Sequence, residues 1–451
     1  MSERLPVLDR RRAGVLLPLS ALEAPLGRGG RACIDWLSQA GFSVWQILPL
    51  GPTAGDGSPY WVRSDHAGNP ALLDREELPP AEAVPDEAFR AAAAHWLPDF
   101  ALFEALSQTL GDAPFWSWPA GLAAREPAAL ASARRDLAAA IGRIEREQWA
   151  FHVQWQRLRE HARGRGVRLF GDLPFYVAPS SAETWAHREL FQLQANGAPA
   201  AVGGVPPDYF SEKGQRWGNP LYDWAALKKS DFSWWTARVA AQLQRLDLLR
   251  LDHFRAFAAH WAIPAAAADA RGGSWAPTPG AELLAALKAQ LPDLPLIAED
   301  LGVITPDVIE LMRGFSLPGM RVLQFAFDGN PDNPHLPYCY PHQCVAYTGT
   351  HDNDTARGWY QALDPGTRER VAFFLGGGTP PIPEALVREV LASVAQLAVV
   401  PMQDLLGLDS AARFNTPGTT SGNWRWRLPQ GAFDSGLAQR CARRNAAYGR
   451  A

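Results

Sequence analysis

Three carboxylates, Asp252, Glu299 and Asp352, each stand where an apolar run gives way to turn-forming sequence. The runs are Leu248-Leu249-Arg250-Leu251-Asp252, Leu294-Pro295-Leu296-Ile297-Ala298-Glu299 and Val345-Ala346-Tyr347-Thr348-Gly349-Thr350-His351-Asp352. Runs of this kind have the look of buried parallel strands, and in an α/β barrel functional residues gather at the strands' C-terminal ends. Three acids meeting there would suit an uncharged substrate whose bond must be protonated and attacked. That is the chemistry of a glycosidic bond.

The neighbours of each acid sharpen this reading and leave a plainer one beside it. On a strand Arg250 and Asp252 point to the same side, and the arginine would hold and orient an ionised nucleophile; the same pair also fits a structural ion pair at a strand end. Glu299 closes an apolar strand, where desolvation raises a carboxyl toward the pKa of a general acid; a satisfied strand-end carboxylate is the alternative. Adjacent strands lie roughly 4.7–4.9 Å apart, which would let two strand-end acids reach the roughly 5–5.5 Å of a retaining pair. His351 and Asp352 sit in a dense polar stretch, suited either to hydrogen-bonding sugar hydroxyls or to a loop of Asx turns.

The elements that would position these residues are eight short apolar segments, at 13–19, 43–48, 167–173, 246–252, 295–299, 321–327, 344–349 and 396–403, alternating with helical patterns. Such alternation implies βαβ units, and eight strands favour closure into a (β/α)8 TIM barrel. The expectation is one catalytic barrel over residues 1–451, with insertions forming subdomains around its C-terminal face. Residues 74–166, rich in Ala, Arg and Glu, are too long for a crossover and read as a mostly helical insertion between the second and third strands. Residues 197–224, dense in Gly, Pro and aromatics, read as a loop insertion over the active site, and 261–280 as another irregular excursion.

Composition narrows the classes. Hydrophobic residues make up 47% and charged residues 20%, as in an ordinary globular enzyme. The formal charge of −4 is spread through mixed acids and bases, with no basic patch for nucleic acid. No run approaches the roughly 18 apolar residues of a membrane span, and Met1-Ser2-Glu3-Arg4 opens no signal-peptide core. Four cysteines make no disulfide framework, so reduced thiols and a cytoplasmic home are expected. Cys339, His342 and Cys344 match no common zinc spacing, and Gly376-Gly377-Gly378 lacks the strand before it and the Lys-Ser/Thr pair of a phosphate loop. Many of the 18 tryptophans lie beside Gly, Pro, Asn or Asp, where a flat ring can line a concave site and pack on a sugar.

Seven stretches together resemble one family. They are Ser58-Pro59-Tyr60 with Ala67-Gly68-Asn69-Pro70, Gly171-Asp172-Leu173-Pro174, Gly204-Val205-Pro206-Pro207-Asp208-Tyr209-Phe210 through Gly218-Asn219-Pro220, Arg250 through Arg255, Ala298-Glu299-Asp300-Leu301-Gly302, Thr348 through Thr355, and Asn415-Thr416-Pro417-Gly418 with Gly422-Asn423-Trp424. This set resembles the 4-α-glucanotransferases called amylomaltases or disproportionating enzymes, of the α-amylase clan. The resemblance implies transfer of an α-1,4-glucan segment to the 4-hydroxyl of another glucan or glucose by retaining double displacement. Malto-oligosaccharides or other α-1,4-glucans would be the partners, and no metal or organic cofactor is implied. Asp252 would be the nucleophile, Glu299 the acid/base and Asp352 the transition-state stabiliser. Asp172, Arg250, His253 and His351 would hold the sugar at the cleavage site, with Tyr60 stacked on that ring. Gln215 and Trp217 would reach over the glucan, and Asn415 would contact the acceptor side. The aromatic segment from Asp208 to Trp217 would favour transfer over hydrolysis by excluding water and receiving an acceptor sugar; a packed Ω-loop is its plainer reading. An amylase-type hydrolase uses the same acids with water as acceptor.

The chain also departs from the family pattern. Trp61-Val62-Arg63-Ser64-Asp65-His66 replaces a Gln-Ser-Phe-Ser-type run, and Ser180-Ser181-Ala182-Glu183 stands before Thr184-Trp185 where relatives have Asp-Ser-Ala-Asp before Val-Trp. The turn after the first strand is shortened to Gly27-Arg28-Gly29-Gly30.

Overall fold

The computed structural model describes residues 6–80, 83–207, 211–378, 381–419 and 421–451. Each apolar segment carries one strand of a parallel sheet: β1 (Arg12–Leu16), β2 (Val44–Gln46), β3 (Arg168–Leu173), β4 (Leu248–Leu251), β5 (Leu296–Ala298), β6 (Gly319–Val322), β7 (Cys344–Tyr347) and β8 (Leu397–Pro401). Hydrogen-bonded ladders run without a break from β6 through β7, β8, β1, β2, β3 and β4 to β5. The Ala298 N–H donates to the Pro318 carbonyl at 2.9 Å, joining β5 to the residue before β6. The sheet thereby closes, and the fold is a (β/α)8 barrel.

Strands this apolar follow from burial on both faces. Phe170, Leu248, Ile297, Val345, Tyr347, Leu397 and Val399 fill the barrel interior. Leu169, Leu249, Ala298, Ala346 and Ala398 face the surrounding helices. The period of two carries on into the polar residues, so Asp172 follows Phe170 inward, Arg250 follows Leu248, and Glu299 follows Ile297. In the segment expected to be a strand at 321–327, the chain leaves the ladder after Val322 and turns through a 3-10 helix, Leu323–Phe325.

Between β2 and β3 lie the helices Glu87–Ala93, Leu97–Thr109, Ala120–Ala123, Pro127–Asp136 and Ala138–Gly164. They share a core of their own, including Phe100, Phe103, Phe115, Trp118 and Trp185. The 27-residue helix Ala138–Gly164 serves both units: Ile144 enters that core, while Phe151, Trp155 and Leu158 pack against the barrel.

The excursions read as irregular at 197–224 and 261–280 carry the strands of a second, small sheet. Ala201–Val205, Gln215–Pro220, Ala259–Pro264 and Ser274–Pro277 form a four-stranded antiparallel sheet, with Gln215–Pro220 at one edge and Ser274–Pro277 at the other. Its strands hide behind Gly and Pro because the pairing is tight. A Cβ on Gly204 would fall 2.1 Å from the Gln215 carbonyl oxygen, and one on Gly203 would meet the Tyr176 ring at 2.6 Å. The sheet buries little, chiefly Val202, Ile263 and Ala270, so it shows no long apolar alternation. Among the described residues no helix is long and apolar enough to cross a membrane, and no group of three or more His, Cys, Asp or Glu is placed to hold a metal.

Candidate active site

Ladder register brings the first four polar residues together. Asp172 pairs with Arg250 across β3 and β4, and Leu251 pairs with Ala298 across β4 and β5. Asp252 and Glu299 therefore follow one residue later on neighbouring strands. Arg250 sits at the centre. Its Nη1 donates to both Asp172 oxygens at 2.9 and 2.8 Å, and its Nη2 pairs with Asp252 Oδ1 at 2.9 Å. Burial works against charge on Arg250, but Asp172 and Asp252 hold the guanidinium well above its usual pKa. Burial likewise pushes the Asp172 carboxyl up, against the pull of Arg250.

Glu299 is 9% exposed and is gripped by two backbone donors. The His253 N–H reaches Oε2 at 2.8 Å and the Leu301 N–H reaches Oε1 at 2.9 Å. Those bonds and Arg250 favour the anion, but burial outweighs them and Asp252 adds to it, so the carboxyl is pushed up to about 8. At neutral pH it keeps its proton. His253 reaches Glu299 by adopting a left-handed backbone, φ 51°, a conformation that costs roughly 1–2 kcal/mol for a residue with a Cβ. The residue is half-buried, but its Nε2 is buried without a hydrogen-bond partner, and desolvation lowers its pKa to about 4, leaving a neutral imidazole. Trp217 stands edge-on to that ring at 4.8 Å.

Tyr60 closes the opposite side. Its hydroxyl donates to Asp172 Oδ2 at 2.7 Å and lies 2.9 Å from His351 Nε2. A phenol has one hydrogen, already given to the carboxylate, so His351 Nε2 carries the proton of the second bond. The two rings stack at 5.2 Å and 18°, and Trp424 leans over both at about 6 Å.

Asp352 is held by loops. Asn415 Nδ2 donates to its Oδ1 at 2.6 Å, and His351 Nε2 lies 3.4 Å from its Oδ2. Arg413 ties the two loops by their backbones, with Nη2 on the Asp352 carbonyl at 2.7 Å and Nε on the Asn415 carbonyl at 2.6 Å. The loop around it is also pinned locally: Asn353 Oδ1 accepts from both the N–H and the hydroxyl of Thr350 at 2.9 Å.

The structure thus gathers Tyr60, Asp172, Arg250, Asp252, His253, Glu299, His351, Asp352 and Asn415 into one connected network. Trp217 joins it through His253. Gln215 is one step further out, its Oε1 accepting from Trp217 Nε1 at 3.0 Å. Asp208, Tyr209 and Phe210, the aromatic part of the segment expected to cover the glucan, lie outside the described residues. Sequence reasoning missed Arg413 and gave no role to Trp424. Trp424 stands inside a family motif already noted, which was its signal; Arg413 acts only on carbonyls, and nothing about its type reveals that.

The comparisons with known proteins agree with this geometry. The chain matches the sequence profile of glycoside hydrolase family 77, described as 4-alpha-glucanotransferase, over residues 17–87 and 79–432. It is 43% identical to a 4-alpha-glucanotransferase of Thermus thermophilus, covering 93% of this chain and 95% of the relative. It is 41% identical to the 4-alpha-glucanotransferase of a Synechocystis species, covering 98% and 99% respectively. Its fold superposes on the amylomaltase from Streptococcus agalactiae, solved in complex with acarbose, with a TM-score of 0.92 at 33% identity over 98% of this chain and all of that one. With the profile spanning most of its length and relatives this similar end to end, the chain belongs to the 4-alpha-glucanotransferase family, glycoside hydrolase family 77.

Proposed function

We propose that the protein moves a segment of an α-1,4-glucan onto the 4-hydroxyl of another glucan or of glucose by two successive displacements at one carbon. Glu299 gives its proton to the glycosidic oxygen while an Asp252 oxygen attacks the anomeric carbon. The bond to the leaving oxygen breaks, the reducing-end fragment departs with that proton, and a glycosyl ester on Asp252 remains. The 4-hydroxyl of the acceptor then attacks the same carbon, Glu299 takes its proton, and the ester bond breaks. Two inversions return the original anomeric configuration.

One observation carries this assignment. Glu299 and Asp252 sit at adjacent strand ends, the first buried and pushed up to about 8, the second paired with Arg250 at 2.9 Å. Arg250 also fixes Asp172, whose carboxylate and the Tyr60 ring offer a hydrogen-bonding group and a flat face to the sugar at the cleavage point. His351 and Asp352 approach from the β7 side to bind ring hydroxyls and favour the oxocarbenium-like transition state. Trp217 and Gln215 extend the wall above His253 and help to keep water from the ester. A cytoplasmic home suits the four cysteines, all free thiols.

Product analysis on maltotriose tests the reading. Transfer yields glucose together with oligosaccharides longer than the substrate, at a constant number of reducing ends. Shrinking products with steadily rising reducing ends would refute it in favour of hydrolysis.

A further inference from the structure

Seven of the eight junctions between neighbouring barrel strands carry a ladder; among the described residues the β5–β6 junction does not. It lies beside the buried acid. On the β4 side the Glu299 backbone is fully engaged, its N–H donating to the Leu251 carbonyl and its carbonyl accepting the Phe254 N–H, each at 3.1 Å. On the β6 side the main-chain bonding ends one residue earlier, with the 2.9 Å bond from Ala298 to Pro318. In an unbroken parallel ladder the Ala298 carbonyl would next accept the Met320 N–H.

A side chain takes that N–H instead. Asp300 Oδ1 accepts it at 2.6 Å, and Asp300 Oδ2 accepts from Arg321 Nη1 at 2.8 Å. The same nitrogen reaches the Met320 carbonyl at 2.5 Å, so both backbone groups of Met320 are drawn into the contact. The Asp300 side chain is only 7% exposed, and bonds to a charged acceptor are roughly twice as strong as neutral ones. The fit is close: a Cβ on Gly319 would fall 2.5 Å from Oδ2 and 2.6 Å from Oδ1. Gly319 does not have a left-handed φ, so the carboxylate, and not the backbone, requires glycine there.

Asp300 stands between Glu299 and Leu301, whose N–H holds Glu299 Oε1 at 2.9 Å. Anchoring Asp300 to β6 fixes the turn that aims the acid, from the one side where the ladder gives no help. It also places a charge. Of the charged groups acting on Glu299, Arg250 favours the anion, whereas Asp252 and Asp300 favour the protonated acid.

We propose that Asp300 is a positioning residue for the proton transfer: latched to the Met320 N–H and to Arg321, it holds the Glu299 carboxyl in place to serve the leaving oxygen. The inference rests on the functional reading above, in which Glu299 is the acid/base. Acting through Glu299, Asp300 matters most where the leaving group needs a proton.

First-turnover rates on two substrates test this: release of the reducing-end sugar from maltotriose, which needs an acid, and of fluoride from α-glucosyl fluoride, which does not. Asp300→Ala removes the latch, and Gly319→Ala, which keeps every charge, pushes the carboxylate off it. Both should lower the maltotriose rate by about 10–100-fold and leave the fluoride rate within about threefold. Asp300→Asn keeps an oxygen for the Met320 N–H and loses the charge. It should be the milder variant, with the alkaline limb of its pH profile moved down by about half a unit or more. A maltotriose rate unchanged in Asp300→Ala, or a fluoride rate that falls as far as the maltotriose rate, overturns the proposal. Should Asp300→Ala and Gly319→Ala fail to fold, Asp300→Asn decides, and an alkaline limb at the wild-type pH overturns the proposal. Glu299→Gln run in parallel keeps the acid assignment separate. It should lose the maltotriose rate and keep the fluoride rate; equal losses in that variant would show the reading of Glu299 to be wrong, and the proposal would fall with it.

Discussion

The two sides of the catalytic cluster are built by different means. On the β3–β5 side, Asp172, Arg250 and Glu299 take their places from ladder register, and each is less than 10% exposed. On the β7 side, Asp352 has a side chain 44% exposed and owes its place to an amide from Asn415 and a backbone strap from Arg413. Strands fix an atom more closely than loops do. The groups that form and break covalent bonds are on the rigid side, and the group that follows the sugar's changing shape is on the adaptable one. Even the strained His253 fits this division, since Glu299 holds its N–H from the next strand.

The comparison can be broken or sharpened by substitution. Asp252→Asn removes the nucleophile and should lower kcat on maltotriose by at least about 10⁴-fold with little change in stability; retained turnover would remove the rigid side's claim to the chemistry. Glu299→Gln should cost roughly 10²–10⁴-fold. The wild-type enzyme should also lose kcat/KM as pH rises through about 8, because the group that must donate is then deprotonated. With Glu299→Gln that alkaline limb disappears from the residual activity, and its persistence would assign it to another group.

Arg250→Ala strands two carboxylates in a buried site, and a urea melt should show a loss of about 3–5 kcal/mol. Arg413→Ala sharpens the contrast. It should lower kcat by about 10-fold for about 1–2 kcal/mol of stability, with KM changing less than kcat, because it positions Asp352 without touching the sugar. Asn415→Ala should be milder still, at a few-fold in kcat; an effect as large as that of Arg250→Ala would show that the loop side is as tightly built as the strand side.

Legibility in the sequence followed the same division. The barrel strands were visible because most of their residues are buried, so apolar residues dominate each run and a polar residue at its end stands out; the sixth, expected at 321–327, lies at Gly319–Val322. Arg250 two before Asp252 announced a shared side, and the salt bridge at 2.9 Å follows from it. The antiparallel sheet was not visible. Gly203-Gly204 and Gln215-Arg216-Trp217-Gly218 pair by close backbone approach over a small core, so their pattern resembles a loop. Arg413 was hidden for a related reason, since its bonds go to main-chain oxygens. The departures at 61–66 and 180–184 could be read as departures only; that they meet at one cavity required the fold.

The central claim is that Asp252 carries the glycosyl group between donor and acceptor while Glu299 manages the proton. Incubating Glu299→Gln protein with α-glucosyl fluoride, whose leaving group needs no acid, and mapping the protein by peptide mass spectrometry tests it most directly. The account predicts one added hexosyl unit on the peptide containing Asp252. An unmodified Asp252 peptide, with the hexosyl unit absent or on another residue, would contradict it.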